Sequence, residues 1–531
     1  MALSERKKTL KACLSDMSAW VVNAFADAEI TGIAWDSRRV KPGDVFFALV
    51  GQNFDGHQFV ETAIDQGAAA VVGTRPSITM RVPYVQIKGE DHLALAKFSA
   101  LFYNHPSKKL TMIGVTGTDG KTTTCNLVYQ ILRTAGISVG LISTVNAVIG
   151  DEVLDTGFHV TTPESPDIQR YLARMVAAGL THVVLETTSH GLAQGRVAEV
   201  EFDLAAITNV THEHLDYHGT YEDYLKAKGL LFEALLANGP NKKGVEKLAV
   251  LNRDDESYDY LAKITQAKQL SYSLSSDSEL FANDIHHSSA GLSFIVNGPG
   301  KSFQVESSLM GHYNVHNILA ALGITVFGLS IPVESAQQAL KTVQTVPGRM
   351  ERIDLGQDFL AIVDFAHTPN AIKQALVTVR ELTGGKLIAV FGSAGLRDVE
   401  KRKLMPEIAI KLADEIILTA EDPRTESLEG ILMDMAEGAR HGGGQEGVNF
   451  WLEPDRGTAI RNAVQRAKTG DLVIICGKGH EQSMCFGHIE YGWDDRTALK
   501  AALSELLDVD GPQMPVLPTS QKKPEHDVNR E

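Results

Sequence analysis

The chain has 531 residues, too many for one hydrophobic core, and its 44% hydrophobic and 22% charged residues are ordinary globular values. A formal net charge of −16, with no interleaving of basic and aromatic residues, excludes a broadly nucleic-acid-coating surface; local basic pockets for anionic substrates remain possible. No apolar run resembles a secretory signal or a membrane span, and Cys13, Cys125, Cys476 and Cys485 lack metal-like spacing, so a cytoplasmic protein with reduced thiols and no membrane insertion is expected.

Residues 1–108 read as a first block. TGIAWDSRRV and GDVFFALV look like strands around the turn Lys41-Pro42-Gly43-Asp44. HQFVETAIDQG has helical spacing at Phe59, Val60, Ala63 and Ile64, and AAAVV follows as a buried strand. A second block, 109–346, opens with the apolar run LTMIGV, which breaks into Gly117-Thr118-Asp119-Gly120-Lys121-Thr122-Thr123 ahead of a helix-compatible stretch. A strand, a tight loop and a helix N-terminus cradle nucleotide phosphates with backbone N–H groups. Lys121 would reach the outer phosphates and the Thr122 hydroxyl would hold Mg²⁺. The common P-loop has a glycine where Val115 stands here.

Further strands VGLIST, THVVLET, LAAITNV and LAVLN alternate with helices near 164–178 and 220–237, which implies parallel strands with helices on both faces. Residues 270–310 read as an antiparallel excursion, and a helix of small residues follows near Asn314–Gly328. A third block, 347–510, repeats the α/β rhythm with FLAIVDF, KLIAVFG, EIILTA and DLVIICG. From Gly511 to Glu531, four prolines and no periodicity predict a disordered tail.

Glu186 ends VVLE, at the strand end where open α/β sheets bind ligands, and beside a phosphate loop it is a natural Mg²⁺ ligand. A loop-capping acid is the ordinary alternative. Thr211–His218 holds three histidines and two acids. The spacing His212-x-His214 is not that of a helical zinc site, and a loop bringing one histidine and Asp216 towards a second Mg²⁺ fits better. Lys228, in YEDYLKAKGLLFEALL, reads by pattern as a surface helix lysine. Asn314 and Asn317 share a helix face suited to adenine edges, Asp364 ends a strand where ribose hydroxyls bind, and Arg349 in PGRME could clamp a γ-phosphate. Caps, turns and salt bridges are the alternatives for each.

The ordered strings GTDGKTT, TTP at Thr161-Thr162-Pro163, ETTSHGL, TNVTHEHLDYHG, NRDDE, GHYNVHN, PGRME, VDFAHTP, GKGHE and DDR, with DSRRVKPGDVFFAL and Asp55-Gly56-His57 before them, resemble the Mur ligases, most closely the MurE type. The resemblance runs from about Asp36 to Arg496, and the shorter phosphate loop is the form this family uses. It implies an α/β chain of three domains: an N-terminal uridine-nucleotide-binding domain over 1–108, a central P-loop parallel-sheet ATPase domain over 109–346, and a C-terminal Rossmann-like amino-acid-binding domain over 347–510. The implied activity is ATP-dependent amide synthesis in peptidoglycan formation. A diamino acid joins UDP-N-acetylmuramoyl-L-alanyl-D-glutamate through an acyl phosphate, on a chain expected to be monomeric.

The resemblance also carries residues over. Thr122 and Glu186 match the family's first Mg²⁺ site, and His214 and Lys228 the second, with Lys228 carrying a carbamate derived from CO₂. Gly117 to Thr123, Asn317, Arg349 and Asp364 match nucleotide contacts, with Lys121, Glu186, His214, Lys228 and Arg349 as the catalytic set. Ser37 matches a uridine contact; Thr161, Thr162, Ser189, Gln194 and Arg196 match contacts to the muramoyl peptide. Arg397, Asp422, Arg424, Gly477 and Glu481 match the amino-acid pocket.

Departures cluster in that pocket. Meso-diaminopimelate enzymes of the family usually show Asp-Asn-Pro-Arg, where this chain has Glu421-Asp422-Pro423-Arg424, and Gly-Gly-Asp-Arg-Asp becomes Ala394-Gly395-Leu396-Arg397-Asp398. An extra carboxylate at Asp422 favours a terminal ammonium, so L-lysine or L-ornithine is favoured over meso-diaminopimelate, while the retained Arg397, Arg424 and Glu481, with Arg424 able to pair a carboxylate, leave diaminopimelate open. The competing readings are a folylpolyglutamate synthetase or another Mur ligase, and a nucleotide module that ligates nothing. The N-terminal strings and GKGHE argue against the first. The second leaves Glu186, His214 and Lys228 without a shared purpose.

Overall fold

The computed structural model describes residues 7–520 apart from 25, 52–54, 77–79, 155–160, 212–214, 236–243, 289–290 and 344–345. Two compact units emerge: Met1–Val210 with Glu222–Tyr272 and Ala320–Ala336, and Thr211–Tyr221 with Ser273–Leu319 and Gln337–Glu531.

The first unit opens with β1 (Val21–Ala24), β2 (Gly32–Ala34), β3 (Asp44–Ala48), β4 (Ala70–Gly73) and β5 (Tyr84–Ile87). They form one sheet in the order β1-β5-β4-β3-β2, parallel except for β1. The string TGIAWDSRRV makes a shorter strand than expected. Asp36 caps the turn after it, accepting from Arg38 N at 2.9 Å, and the chain bends into a 3-10 turn over Ser37–Arg39. Likewise HQFVETAIDQG is helical only over Val60–Asp65, after a 3-10 turn at Gly56–Phe59. Helix α1 (Asp91–Phe102) seats Phe98 edge-on against Phe47, with ring centroids 5.1 Å apart.

The larger sheet of this unit contains β6 (Thr111–Thr116), β7 (Val139–Ile142), β8 (His182–Glu186), β9 (Leu204–Ile207), β10 (Leu248–Asn252) and β11 (Lys268–Ser273). They run parallel in the order β7-β8-β6-β9-β10-β11. Helices α2 (Lys121–Thr134), α3 (Ser165–Ala177), α4 (Ser189–Ala193) and α5 (Tyr221–Glu233) connect them. From central β6 the chain winds first to one side, through β7 and β8, and then to the other, through β9. That reversal opens a crevice at the carboxyl ends of β8, β6 and β9, the place where parallel sheets bind ligands.

In the second unit, β12 (Leu280–Ser288), β13 (Gly291–Gly298) and β14 (Lys301–Ser307) form the antiparallel excursion. Helix α6 (Tyr313–Leu322) continues into a π-helical stretch, Gly323–Gly328. A third sheet comes next, with β15 (Leu360–Asp364), β16 (Leu387–Phe391), β17 (Glu415–Leu418), β18 (Phe450–Leu452) and β19 (Leu472–Cys476) parallel in the order β15-β19-β16-β17-β18. Helices α7 (Pro369–Arg380), α8 (Glu400–Leu412), α9 (Leu428–His441), α10 (Arg456–Arg466) and α11 (Asp495–Leu507) accompany it. The two faces of this sheet carry separate apolar cores, one around Phe391, Met405 and Met435 and the other around Val390, Ile475 and Trp493. A hairpin of β20 (Ser483–Phe486) and β21 (Ile489–Gly492) lies after β19 in the chain.

The tail corrects an expectation. Over 511–520 the chain is a strap on the second unit rather than a disordered extension. Leu517 is buried in the Trp493 core, Met514 packs against it, and the Thr519 and Ser520 hydroxyls donate to Asp455 Oδ2 at 2.9 and 2.7 Å. One leucine and two hydroxyls anchor this strap, and none of them needs a periodic pattern. Residues 521–531 lie outside the described residues. No described helix is long and apolar enough to cross a membrane.

Candidate active site

In the first unit, the loop after β6 is fixed from below by the end of β9 and by Thr208 and Asn209 just beyond it. Thr118 N donates to Asn209 O (2.7 Å), Asp119 N to Asn209 Oδ1 (2.9 Å), and Thr208 Oγ1 to Asp119 O (2.6 Å). Gly117, at φ +149°, presses so closely on Thr208 that a Cβ would stand 1.8 Å from its Oγ1. Gly120, at φ +81°, turns the chain into α2. Lys121 folds back onto its own loop, with Nζ 2.7 Å from Thr118 O. Thr123 sits half-exposed in the first turn of α2.

Lys228 is not the surface lysine its pattern suggests. It is 1% exposed, lies under the loop with Nζ donating to Gly117 O at 2.7 Å, and stands 4.3 Å from the centroid of the Tyr224 ring. The Tyr224 hydroxyl in turn meets Thr118 Oγ1 at 3.0 Å.

Glu186, at the end of β8, joins two neighbourhoods. Its carboxylate accepts from Thr122 Oγ1 (2.9 Å), Thr144 Oγ1 (2.9 Å) and Thr144 N (3.0 Å). Its carbonyl accepts from Thr162 Oγ1 at 3.1 Å, and that same hydroxyl oxygen receives Thr188 N at 2.9 Å. Arg196 donates to Thr162 O (2.8 Å) and Gln194 Oε1 (2.7 Å) and pairs with Glu164 at 2.9 Å. Ser189, buried, begins α4 beside the Thr188 cap, and Thr161 is half-exposed next to Thr162. Thus Thr161, Thr162, Ser189, Gln194 and Arg196 converge with Glu186 and Thr122. Ser37, buried in its turn, follows β2 of the N-terminal sheet in the same unit. Thr144, Asn209 and Tyr224 escape a reading of the sequence; the TNV string after a strand is the only visible sign of them.

A hydroxyl and a carboxylate form an all-oxygen donor set, which suits a hard cation such as Mg²⁺. No group of three or more His, Cys, Asp or Glu converges among the described residues, so a cation here would depend on nucleotide phosphates and water for its remaining ligands, as Mg²⁺ commonly does. His214 lies outside the described residues.

In the second unit, Asn317 and Asn314 are joined at 2.8 Å, with Asn314 Nδ2 donating to Met310 O at 2.6 Å. Asp364 caps two backbone N–H groups, Met350 N and Ala366 N, each at 2.8 Å. The Arg349 guanidinium stacks on Phe365 at 4.3 Å from its centroid, and its buried Nε has no hydrogen-bond partner among the described residues. Gly348 lies backbone to backbone on the GKGHE loop, where a Cβ would stand 2.2 Å from Gly479 C and from His480 N. Burial, with the nearby charges of Arg349, Arg496 and Lys478, pushes the His480 pKa down to about 3, so this imidazole is neutral.

Of the residues expected to form an amino-acid pocket, Asp422, Arg424, Gly477 and Glu481 follow the carboxyl ends of β17 and β19, and Arg397 follows that of β16. Arg456, fully buried, braces two of these strand ends. Its guanidinium pairs with Asp495 at 2.7 Å and donates to Ala420 O (3.1 Å) and Cys476 O (2.8 Å), pinning the ends of β17 and β19. Glu421, whose pKa burial raises, fills the space in front of Gly477, where a Cβ would meet its Oε2 at 2.4 Å. Asp422 and Arg424 both adopt positive φ, +39° and +54°, around Pro423. Arg397 is exposed on its loop, and Glu481 is half-buried.

The surroundings of Asp422 remove the ground for the expected preference for lysine or ornithine. Its carboxylate is not a spare charge: both oxygens lie 3.0 Å from Lys478 Nζ, and Oδ1 also receives Cys485 N at 2.9 Å. An acid already neutralised by an internal ammonium has little left with which to select a second one.

Family models match three stretches: the Mur ligase family catalytic domain over residues 29–103, the Mur ligase middle domain over 115–325, and the Mur ligase glutamate ligase domain over 348–479. A UDP-N-acetylmuramoyl-L-alanyl-D-glutamate–2,6-diaminopimelate ligase of Geobacillus kaustophilus is 41% identical over 492 residues, covering 93% of this chain and 98% of that one. A UDP-N-acetylmuramyl-tripeptide synthetase of Roseiflexus is 42% identical over 487 residues, covering 90% and 95%. Among solved structures, a UDP-N-acetylmuramoyl-L-alanyl-D-glutamate–2,6-diaminopimelate ligase superposes with a TM-score of 0.60 at 31% identity, covering 90% of this chain and 96% of that one. The chain, a three-domain α/β protein with an ATP-dependent ligase's phosphate loop, belongs to the Mur ligase family, on its MurE branch.

Proposed function

We propose that the chain joins meso-diaminopimelate to UDP-N-acetylmuramoyl-L-alanyl-D-glutamate in the cytoplasm, as a monomer using ATP and Mg²⁺. One observation carries the reading. The Glu186 carboxylate is bonded to Thr122, the first hydroxyl of the phosphate-loop helix, while its carbonyl is bonded to Thr162 of the substrate loop. A single residue thereby joins a residue proposed for the nucleotide to one proposed for the acceptor, which supports in-line transfer, since that reaction needs the two substrates held close together. The names of the relatives, most of which specify 2,6-diaminopimelate, favour that amino acid.

The acceptor carboxylate attacks the γ-phosphorus, ADP leaves, and the acyl phosphate is then attacked at carbon by the amino group, with release of phosphate. Two polyanions must meet, so the chain's task is charge neutralisation. Lys121, held now by one carbonyl of its own loop, would exchange it for phosphate oxygens. Arg349, whose Nε has no partner among the described residues, would serve the transferred group. Arg196 would orient the muramoyl peptide; Asn317 and Asp364 would hold the nucleoside, and Ser37 the uridine. Thr122, Glu186, His214 and Lys228 as its carbamate would hold Mg²⁺, which supplies Lewis-acid polarisation of the phosphoryl oxygens.

The test is phosphate release and product mass with the UDP-linked dipeptide, ATP and, in turn, meso-diaminopimelate, L-lysine and L-ornithine. Diaminopimelate should be used best. If no amino acid stimulates turnover, the proposal fails. For Lys228→Ala, activity should be lost and bicarbonate should not restore it; full activity would remove the carbamate from the scheme.

A further inference from the structure

Lys478 is buried to 1% exposure between two carboxylates, bonding both oxygens of Asp422 at 3.0 Å and pairing with Glu481. Although burial opposes it, the charges of Glu481 and Asp422 hold its pKa up, so it stays an ammonium. Asp422 cannot swing away. Its backbone is at φ +39°, its carbonyl receives Gly395 N at 2.9 Å, and Arg424 beside it is pinned to the hairpin by Arg424 N→Cys485 O (3.1 Å) and Gly487 N→Arg424 O (2.7 Å).

The charge count of this cluster is informative. One ammonium against two carboxylates leaves a single negative charge, and Glu481 is the partner that reaches solvent, with 29% of its side chain exposed. Arg424, half-buried, has no ion-pair partner among the described residues. Within the Glu421–Arg424 and GKGHE strings, where Glu421, Asp422 and Lys478 are buried, the partly exposed charges are therefore one anion, Glu481, and one cation, Arg424, with Arg397 exposed on its own loop. That complements an ammonium and a carboxylate together, and it repels neither.

Resting on the functional reading already proposed, we infer that Lys478 is a specificity-determining positioning residue. It cancels the Asp422 charge, so that the pocket takes a diamino acid whose far end is a zwitterion rather than a simple cation. Without Lys478 the rim holds two carboxylates, and the balance moves towards lysine.

The readout is the ratio of kcat/KM for meso-diaminopimelate to kcat/KM for L-lysine, which a merely structural role would leave unchanged. Lys478→Met should lower that ratio at least tenfold. Lys478→Arg, and the double variant Lys478→Met with Asp422→Asn, should keep it within threefold of wild type. An unchanged ratio in Lys478→Met, or an equal drop in the double variant, would overturn the inference. Stripping one member from a buried pair can prevent folding; should Lys478→Met not fold, the double variant decides alone, a retained ratio supporting the inference and a tenfold drop overturning it. A wild type that ligates neither amino acid would instead sink the functional reading itself.

Discussion

Replacing Thr162 by valine tests whether one hydroxyl couples the substrate loop to the catalytic strand. The two side chains have nearly the same shape, so at the fully buried Thr162 the change is chiefly the loss of a hydroxyl. What disappears is an oxygen that donates to Glu186 O, accepts from Thr188 N and meets Thr188 Oγ1 at 3.0 Å. A stranded buried N–H costs about 1–3 kcal/mol. We therefore expect Thr162→Val to lose about 2 kcal/mol in urea unfolding, while Thr162→Ser, which keeps the oxygen, loses less than about 1 kcal/mol. Because Arg196 is hung on Thr162 O, kcat/KM for the UDP-linked dipeptide should fall at least tenfold in the valine variant, with KM for ATP changed little. A valine variant as stable and as active as wild type would refute the reasoning.

Gly117→Ala should nearly abolish ATP turnover, since its methyl would collide with Thr208 and displace the carbonyl that Lys228 holds; phosphate release measures this, and ordinary turnover would show that the loop yields. His480 is neutral in the fold, with a pKa of about 3 against 6.5 unfolded, so the unfolded state binds the extra proton between those values. Its stabilising contribution is complete above pH 6.5 and is lost as pH falls towards 3. His480→Phe should flatten the stability curve across that window, and an unchanged slope would count against burial of the neutral form. Leu517→Asp should detach the strap and lower the melting temperature of the intact chain, because it places a charge in the Trp493 core; an unshifted melting curve would mean that the strap contributes nothing.

The phosphate loop is legible in the sequence because its signal is local: a strand, two glycines and a helix start occupy adjacent positions. Lys228 is not, since burial of a helix lysine depends on a carbonyl 111 residues away in sequence. Asp422 misleads for the same reason. Its type is visible, but the ammonium that neutralises it is 56 residues on, and a carboxylate's meaning depends on its partner. The strap shows the opposite failure, where prolines and aperiodicity suggest disorder although Leu517 finds a core.

The contact between Gly348 and the Gly479–His480 backbone reaches beyond packing. The two glycines cannot diverge separately: any side chain gained at Gly348 collides with the loop that carries Lys478 and Glu481. The segment that carries Arg349 and the loop that carries Lys478 and Glu481 therefore share one main-chain latch, and moving GKGHE into another chain requires carrying PGRM along with it.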